Sequence, residues 1–459
     1  MNKPPLHILF VIRSAEFFFY YKSIVRALIG RGHRVRALFD RAKSAPAEIE
    51  SVEMFRRDVP AFVYGFFALR RNIWSPLLFY TRVLLNYRLY ITKMPEQSFY
   101  YRERAQQYFP FWFNWLLRWK PFRALIKSER FKSWLQRIER RAPPPRHVLE
   151  QLGDLHPDVI VVSSPNLPSI SGEPEYLKAA RVLGIPSVLP VMTWDNLTTK
   201  GFTHVMPDLF LVWSTMHADE AEYYHEVPRA RVRVVGAPVF DAMLSCKEPG
   251  ATREEFAARY GLRPEDPVVL YLGSSANIAR HEDGVIAALR AALDSAPDRR
   301  LGRTQILLRP HPKNMKRYGT FSVPGVRTIL RAPRFPDRPE EMQEFYDMCY
   351  YAVAAVGLNT SGMIDALLAD KPVIAVMAEE YRVTQEQTKH FQHMLEGGAL
   401  ELATSPEEFC TIVARLLDGR DEKRENRAAF IKRFIRPRGR DTEVGEVVAQ
   451  EIEDLVRKS

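Results

Sequence analysis

The chain has 459 residues, of which 46% are hydrophobic and 26% are charged. These globular proportions exclude wholesale disorder, collagen and a coiled coil, and the length predicts about two or three domains. The three cysteines, Cys246, Cys349 and Cys410, include no C-x-x-C pair, so they offer no zinc site and suit a reducing compartment. Because no uncharged run is long and apolar enough to cross a bilayer and the N-terminal run lacks a cleavage site, we expect a cytoplasmic protein.

The first α/β series opens with strand, helix and strand over His7–Ile12, Glu16–Ile29 and Val35–Phe39. The loop after the first strand is not rich in glycine, so neither NAD nor FAD is predicted. Residues 46–150 then interrupt the alternation with a helical, aromatic and basic insertion. The series resumes with strand Asp158–Val162, loop Ser163–Asn166, helix Pro174–Leu183, and strands Pro186–Met192, Leu209–Trp213 and Val232–Val235.

A linker is predicted over Lys247–Asp266, where prolines and Gly250 cluster, and a second α/β series follows it. Two doubly wound domains in tandem, each with a parallel sheet, are the simplest architecture. The predicted elements are strands Val268–Leu272, Gln305–Leu308, Tyr351–Val356 and Val373–Val376, with helices over about 279–294, Glu340–Met348 and from Gly362 to about Ala369, and a final helix Glu443–Lys458.

Two loops at predicted strand ends carry residues suited to binding phosphate. The turn Arg309-Pro310-His311-Pro312 delivers a cation and an imidazole to one rim, and the prolines hold its backbone extended. In the second loop, Thr360 or Ser361 begins a helix whose N–H groups and dipole favour a phosphate, although an ordinary helix cap has the same sequence.

Together these patterns resemble the GT-B glycosyltransferases, and most closely the branch of CDP-glycerol glycerophosphotransferases and sialic acid and Kdo transferases with a His-Pro motif. The resemblance rests on the R-P-H-P turn and on T-S-x-x-x-D followed by Lys-Pro-Val-Ile. It implies two Rossmann-like domains facing across a cleft. These are an acceptor domain over 1–245, a linker over 246–267, a nucleotide-donor domain over 268–430 and a crossing helix over 431–459.

The resemblance also implies site residues. Arg309 and His311, with Thr360 and Ser361, would hold the phosphates of a nucleotide, and Asp365 would meet its ribose. The donor site predicted around them adds Ser274, Ser275, Lys313 and Asn359. After the last main strand, Glu380 and Gln385 are candidates to hold the sugar hydroxyls of the donor, and the start of a solvated amphipathic helix is the alternative.

Gly357 stands where many retaining members of this fold carry a glutamate, eight positions before the ribose acid. This departure favours direct displacement with inversion, which needs a general base near the acceptor hydroxyl. Asp195, in the run Thr193–Gly201, and Glu16, after the first strand, are the candidate catalytic residues. Either carboxylate could also be a helix cap.

The net charge of +11 is concentrated in residues 99–146, which carry twelve Lys or Arg and three Glu. The same segment holds four of the seven tryptophans, Trp112, Trp115, Trp119 and Trp134. Such a composition is typical of a helix in an anionic membrane interface. A helical subdomain with inward-packed aromatics is the alternative, and nucleic-acid binding is disfavoured because no binding motif accompanies the charge.

The function predicted from the sequence is an inverting nucleotide-sugar transferase, peripheral on the cytoplasmic membrane face, with a lipid-linked or polysaccharide acceptor. The resemblance to the His-Pro branch favours cytidine over uridine as the base of the donor. We expect neither a metal nor a further cofactor. Three rivals stay open: a CDP-polyol phosphotransferase, a sugar-nucleotide 2-epimerase of the same fold, and a non-enzymatic membrane-bound binding protein.

Overall fold

The computed structural model describes residues 4–67, 69–94, 98–163, 172–330, 336 and 338–458, so Ser164–Asn166 of the predicted loop lie outside the described residues. The chain forms two compact units. The first combines Met1–Val239 with Phe434–Ser459, and the second is Phe240–Arg433.

The first unit contains a seven-stranded parallel sheet in the order β3-β2-β1-β4-β5-β6-β7. Its central strands are continuous apolar runs, as expected of a sheet covered on both faces. The strands are β1 (His7–Ile12), β2 (Arg34–Asp40), β3 (Val63–Phe67), β4 (Val159–Val162), β5 (Ser187–Pro190), β6 (Leu209–Val212) and β7 (Val232–Val234).

The described residues of Met1–Val239 contain eleven α-helices. They are α1 (Lys22–Gly30), α2 (Pro46–Asp58), α3 (Trp74–Lys93), α4 (Ser98–Gln106), α5 (Phe111–Leu116), α6 (Lys120–Lys127), α7 (Glu129–Arg141), α8 (Arg146–Leu155), α9 (Glu173–Leu183), α10 (Asn196–Thr199) and α11 (Thr215–His225). None of the helices in the described chain combines the length and apolar character needed to cross a bilayer.

Two predictions for this unit need correction. The insertion does not begin at residue 46, because α2 and β3 continue the alternation and β3 pairs with β2 in parallel. β3 is a short strand at the sheet edge. Its sequence, Val-Tyr-Gly-Phe-Phe, resembles the aromatic segment that follows and was therefore predicted to be part of the insertion. The first helix is also divided, since a 3-10 turn over Ala15–Tyr21 precedes α1.

The segment 74–141, here called the helical subdomain, has a core of its own built from α3 to α7. Buried ion pairs attach it to the rest of the unit. Arg82 on α3 bridges Glu139 on α7 and Glu175 on α9, at 2.7 Å to each carboxylate. Burial raises the pKa of Glu139, but Arg82 and Lys178 more than offset this and lower it to about 2. Removing one partner would leave a buried charge uncompensated, which typically costs about 3–5 kcal/mol.

The second unit contains a six-stranded parallel sheet in the order β10-β9-β8-β11-β12-β13. In chain order its elements are α12 (Asp241–Ser245), α13 (Arg253–Tyr260), β8 (Val268–Leu272), α14 (Glu282–Ser295), α15 (Arg299–Arg303), β9 (Gln305–Arg309), β10 (Val326–Thr328), α16 (Pro339–Tyr351), β11 (Ala354–Gly357), α17 (Gly362–Leu368), β12 (Val373–Val376), α18 (Lys389–Glu396), β13 (Glu401–Ala403), α19 (Pro406–Leu417) and α20 (Arg424–Phe430). The last helix, α21 (Val444–Lys458), belongs to the first unit.

The predicted linker is not an unstructured connection. Residues 246–267 belong to the second unit, and they include α13, which a Thr252–Glu255 capping box begins. Arg253 fixes this helix by donating to the carbonyl oxygens of Tyr351 and Asp266. The turn residues that suggested a linker flank a helix of only eight residues.

Candidate functional site

Three loops meet at the carboxyl edge of the second sheet, where the strand order reverses between β8 and β11. They comprise residues 273–275, 310–313 and 358–361, here called the edge loops. Gly273 donates its N–H to the Arg309 carbonyl at 2.9 Å. A Cβ on Gly273 would lie 3.1 Å from the backbone of both Pro310 and His311, closer than most Cβ contacts, so glycine favours this approach. Ligands of open parallel sheets bind at such a switch point.

Ser274 joins the three edge loops, and it does so from a fully buried position. Its carbonyl accepts from Asn314 Nδ2 at 2.8 Å, its N–H donates to Glu282 Oε2 at 2.8 Å, and its hydroxyl accepts from Asn359 N. Ser274 was predicted to bind the donor, but its bonds within the protein make it a residue that fixes loop shape. Ser275, one residue on, is half-buried at the tip of the loop.

His311 is held as a neutral imidazole with a defined tautomer. Burial, together with the nearby charges of Lys313 and Arg309, lowers its pKa to about 4. Its Nδ1 accepts from the Lys313 N–H at 3.2 Å, so the ring proton is on Nε2. The imidazole therefore carries a donor suited to a phosphate oxygen without needing to be protonated.

Arg309 and Lys313 place two cations beside this ring. The Arg309 guanidinium lies 4.0 Å from the centroid of the Phe345 ring, a cation–π contact that restricts its orientation. Arg309 is half-buried and Lys313 is exposed. A planar guanidinium in a fixed orientation can hold two phosphate oxygens at once, whereas Lys313 adds a mobile charge.

The loop after β11 supplies Thr360, Ser361 and, one turn later, Asp365. Thr360 is half-buried and Ser361 is exposed, and the Ser361 side chain makes no capping hydrogen bond with α17. Burial raises the pKa of Asp365 to about 7, although the charge of Arg309 opposes the rise. Asp365 therefore changes its charge in the physiological pH range.

Behind this loop lies a buried polar layer that sequence reasoning assigned to ligand contact. Gln385 is fully buried, and its amide donates to the carbonyls of Leu358 and Val376 at 2.7 and 2.9 Å. Its position does not fit the predicted contact with sugar hydroxyls, because the side chain points at the backbone of the loop. Asn359 is also buried and donates to the Thr384 carbonyl at 2.7 Å. Glu380 is exposed on the turn Glu379–Tyr381.

Glu282 is a titratable group of this site that the sequence analysis missed. Its carboxylate is buried and accepts from Ser274 N and from the Tyr271 hydroxyl, at 2.8 and 3.2 Å. Burial raises its pKa to about 7, and these hydrogen bonds oppose the rise only in part. The helix start His281-Glu282-Asp283 gave no sequence signal that one carboxylate turns inward.

In the first unit, Asp195 lies on the loop after β5 and precedes α10. Its Oδ1 accepts from the Thr193 hydroxyl at 2.6 Å, and its Oδ2 accepts from the Thr199 hydroxyl at 2.7 Å and pairs with Lys200 at 3.1 Å. These partners orient the carboxylate.

Buried side chains hold the backbone of this loop at several points. His217 Nε2 hydrogen-bonds the Trp194 carbonyl at 3.1 Å, and His225 Nε2 hydrogen-bonds the Leu197 carbonyl at 2.7 Å. From α3 of the helical subdomain, the Tyr90 hydroxyl donates to the Thr199 carbonyl at 3.1 Å. Such preorganisation is what a positioned functional group requires. The other candidate base, Glu16, is half-buried in the 3-10 turn after β1.

The four tryptophans of the helical subdomain stay outside its core. Trp112, Trp115, Trp119 and Trp134 are 62%, 66%, 61% and 52% exposed. The core is made instead by smaller or inward-facing side chains such as Leu117, Ile126 and Leu135. The segment therefore has a packed core, as predicted for a helical subdomain. It also has the exposed aromatic side chains that binding in a membrane interface would require.

No protein-family model and no curated protein matches this sequence. Among solved structures, a putative UDP-N-acetylglucosamine 2-epimerase from Listeria monocytogenes superposes with a TM-score of 0.57 at 12% identity, covering 99% of this chain and 98% of that one. The UDP-GlcNAc 2-epimerase from Neisseria meningitidis gives 0.57 at 12%, covering 98% and 100%. The calicheamicin glycosyltransferase CalG4 gives 0.50 at 15%, covering 99% of each. The predicted fold is confirmed: two parallel Rossmann-like sheets of the GT-B type.

Proposed function

We propose that this protein transfers a sugar from a nucleotide-activated donor to an acceptor, with inversion at the anomeric carbon. The observation that carries the proposal is the set of edge loops at the switch point of the second sheet. There the neutral His311 and the half-buried Arg309 lie on a loop whose backbone packs closely against Gly273. The shared fold with a UDP-GlcNAc 2-epimerase that was solved bound to UDP-GlcNAc supports a nucleotide sugar as the ligand.

In this proposal the donor phosphates lie against Arg309, His311, Thr360 and Ser361, and Lys313 adds charge from the rim. As the glycosidic bond to the diphosphate breaks, negative charge grows on the leaving oxygen. Oriented donors and cations at that point stabilise the transition state. Asp365 accepts the ribose hydroxyls, and Ser274, Asn359 and Gln385 keep the loops in place.

Gly357 supports inversion on steric grounds. A Cβ at this position would lie 3.0 Å from the Leu272 carbonyl oxygen on the neighbouring strand, closer than most Cβ contacts. The strand spacing thus disfavours the glutamate that many retaining enzymes carry there, because the neighbouring strand would have to shift. Direct attack by an acceptor hydroxyl then forms the new glycosidic bond as the bond to the diphosphate breaks, and a base takes the hydroxyl proton.

We assign that base to Asp195 in preference to Glu16. The loop around Asp195 is fixed by His217, His225 and Tyr90, so the carboxylate is oriented before substrate binds. General-base catalysis of this kind contributes about 10² to 10⁴ in rate. The proton moves from the acceptor hydroxyl to a carboxylate oxygen as the new bond forms.

The acceptor side of the proposal is a peripheral membrane location on the cytoplasmic face. The exposed tryptophans belong to the segment 99–146 with its net charge of +9. Amphipathic aromatic rings enter the lipid interface, while each basic residue near an anionic surface adds about 1 kcal/mol. This combination favours a lipid-linked acceptor, or a polysaccharide growing at the membrane.

A sugar-nucleotide 2-epimerase is the second candidate, favoured by the epimerases among the structural neighbours. Polyol phosphate transfer from a CDP carrier uses the same phosphate contacts. Product analysis separates the three. A panel of nucleotide donors is incubated with and without membrane lipid extract, and His311→Ala serves as the disabled control. Acceptor-dependent nucleoside diphosphate release with sugar in the lipid fraction supports the transferase. An intact donor epimerised without lipid, or CMP release with a transferred polyol phosphate, contradicts it.

A further inference from the structure

The helical subdomain shares its hydrophobic core with residues 193–203, here called the Asp195 loop. Phe202, near the end of this loop, is a member of the buried core that α3 to α7 form. Its ring also stacks on His225 of α11, with the ring centroids 6.1 Å apart. Tyr224, the neighbour of His225, packs against the same core. The loop that carries the proposed base is therefore packed directly against the subdomain.

Two side chains of α3 hold one short run of this loop at both ends. The Tyr90 hydroxyl donates to the Thr199 carbonyl at 3.1 Å, and Asn86 Oδ1 accepts from the Phe202 N–H at 2.7 Å. Asn86 and Tyr90 are spaced i, i+4, so they lie on the same face of the helix. Both side chains are buried. One face of α3 thus fixes the backbone of residues 199–202.

The run 199–202 supplies the partners of one oxygen of Asp195. The Thr199 hydroxyl donates to Asp195 Oδ2 at 2.7 Å, and the Lys200 ammonium lies 3.1 Å from the same oxygen. Thr199 is also the residue whose carbonyl Tyr90 holds. Because the run is held at both ends from α3, a shift of either end would move the groups that orient the carboxylate.

Packing does not explain why an asparagine occupies position 86. Asn86 is fully buried, and its sequence neighbours Leu85 and Tyr87 belong to the core of the subdomain. Among the described residues, its Nδ2 has no hydrogen-bond partner. A buried amide donor left unpaired is costly, so an apolar side chain would suit this core better. What the asparagine supplies is the acceptor for the Phe202 N–H.

We propose that Asn86 and Tyr90 are positioning residues for the transfer reaction, acting on Asp195 through the run 199–202. The inference rests on the proposed function, in which Asp195 is the general base. It gives the helical subdomain a second role, because α3 then affects turnover whether or not the exposed tryptophans contact a membrane. A misplacement of about 1 Å in a reacting group can cost about 10² in rate.

Steady-state turnover of the full-length protein tests this role, with the donor panel and the lipid extract dispersed in detergent so that no bilayer is present. The variants are Tyr90→Phe and Asn86→Leu. The matched control is Tyr87→Phe, which removes a hydroxyl from the same helix and whose ring contacts Phe109 in the subdomain core. We expect kcat to fall about tenfold in Tyr90→Phe and up to about 10² in Asn86→Leu, with the KM for the donor near wild type. Tyr87→Phe should keep the wild-type kcat.

A double-variant cycle separates positioning from a general weakening of the fold. In Asp195→Asn, adding Tyr90→Phe should change kcat by less than about twofold, because the group that Tyr90 positions can no longer take a proton. Deuterium exchange over residues 196–203 gives a readout that does not need turnover. Asn86→Leu should speed this exchange, since the Phe202 N–H loses its acceptor.

Unchanged kcat in both variants, additive losses in the cycle, or unchanged exchange in Asn86→Leu overturns the proposal. If Asn86→Leu fails to fold, the cycle with Tyr90→Phe decides alone. Wild-type turnover in Asp195→Asn overturns the base assignment and this proposal with it. An inactive Asp195→Asn beside fully active Tyr90→Phe and Asn86→Leu overturns this proposal alone, so the two failures are distinguishable.

Discussion

If Asp365 binds the ribose as proposed, nucleoside binding should depend on pH, and the raised pKa of Asp365 sets the direction. Burial raises its pKa to about 7, and only the ionised carboxylate accepts both ribose hydroxyls. With that pKa, about one tenth of the molecules carry the carboxylate at pH 6 and about nine tenths at pH 8. Affinity is reduced by the fraction of protein that is competent, so it should rise by roughly tenfold between these pH values.

The assay is calorimetric titration with a nucleoside, which has no phosphate to titrate. Asp365→Asn keeps the shape but cannot ionise, so its affinity should be low and independent of pH. Glu282 also titrates near pH 7, and Glu282→Gln serves as the control that should keep the rise. A wild-type affinity that is flat from pH 6 to pH 8, or a rise that persists in Asp365→Asn, would refute the ribose assignment.

Three further predictions concern the base, a buried carboxylate and the aromatic surface. Asp195→Asn should slow turnover by about 10² to 10⁴ while donor affinity stays near wild type, and loss of activity in Glu16→Gln instead would move the base to the first loop. The folded protein binds more protons at Glu282 than the unfolded chain between pH 4.5 and 7, so wild-type stability falls as pH rises through this window. Urea denaturation should therefore show Glu282→Gln gaining up to about 3 kcal/mol over wild type between pH 4.5 and pH 8, and an unchanged difference would contradict the raised pKa. Sedimentation with anionic vesicles should show release of a triple Trp→Ser variant at exposed positions of the helical subdomain but not of the control Val182→Ser, with salt weakening wild-type binding only in part. The triple variant replaces Trp112, Trp115 and Trp119. If it still binds the vesicles, these tryptophans do not mediate membrane binding.

The strands of both sheets could be predicted where the sequence is continuously apolar. β1, β4, β8 and β12 each contain four or five consecutive buried residues, which is the pattern of a parallel strand covered on both faces. β3, β10 and β13 were not predicted; each lies at a sheet edge, and β10 and β13 have only three residues. Their pairing depends on the neighbouring strand rather than on their own sequence.

The site shows a similar division between residue type and residue direction. The R-P-H-P turn and the Thr360-Ser361 loop were found because strand ends in parallel sheets converge on one edge. The sequence did not show which polar side chains face that edge. Gln385 donates to backbone carbonyls and Glu282 accepts from Ser274 N, because buried backbone groups need hydrogen-bond partners. No local sequence pattern indicates these pairings.

In the helical subdomain the composition predicted an aromatic and basic surface, and the structure decided which aromatics form it. On α7, Leu135 is buried while Trp134 is exposed and stacks on Phe131 with ring centroids 5.5 Å apart. Phe131, Trp134 and Leu135 follow one another at helical spacing, yet they contribute to both the core and the surface. Spacing alone cannot divide one stripe between the two.

We propose above that the edge loops of the second sheet bind the nucleotide of a donor. Titration with nucleotides measures this binding directly. CMP, CDP, UDP and GDP are titrated into the wild type and into His311→Ala. We expect that one of them binds with one molecule per chain, and that His311→Ala lowers its affinity by about tenfold or more through loss of the Nε2 hydrogen bond to phosphate. Binding of none of the four, or equal affinity in His311→Ala, would contradict it.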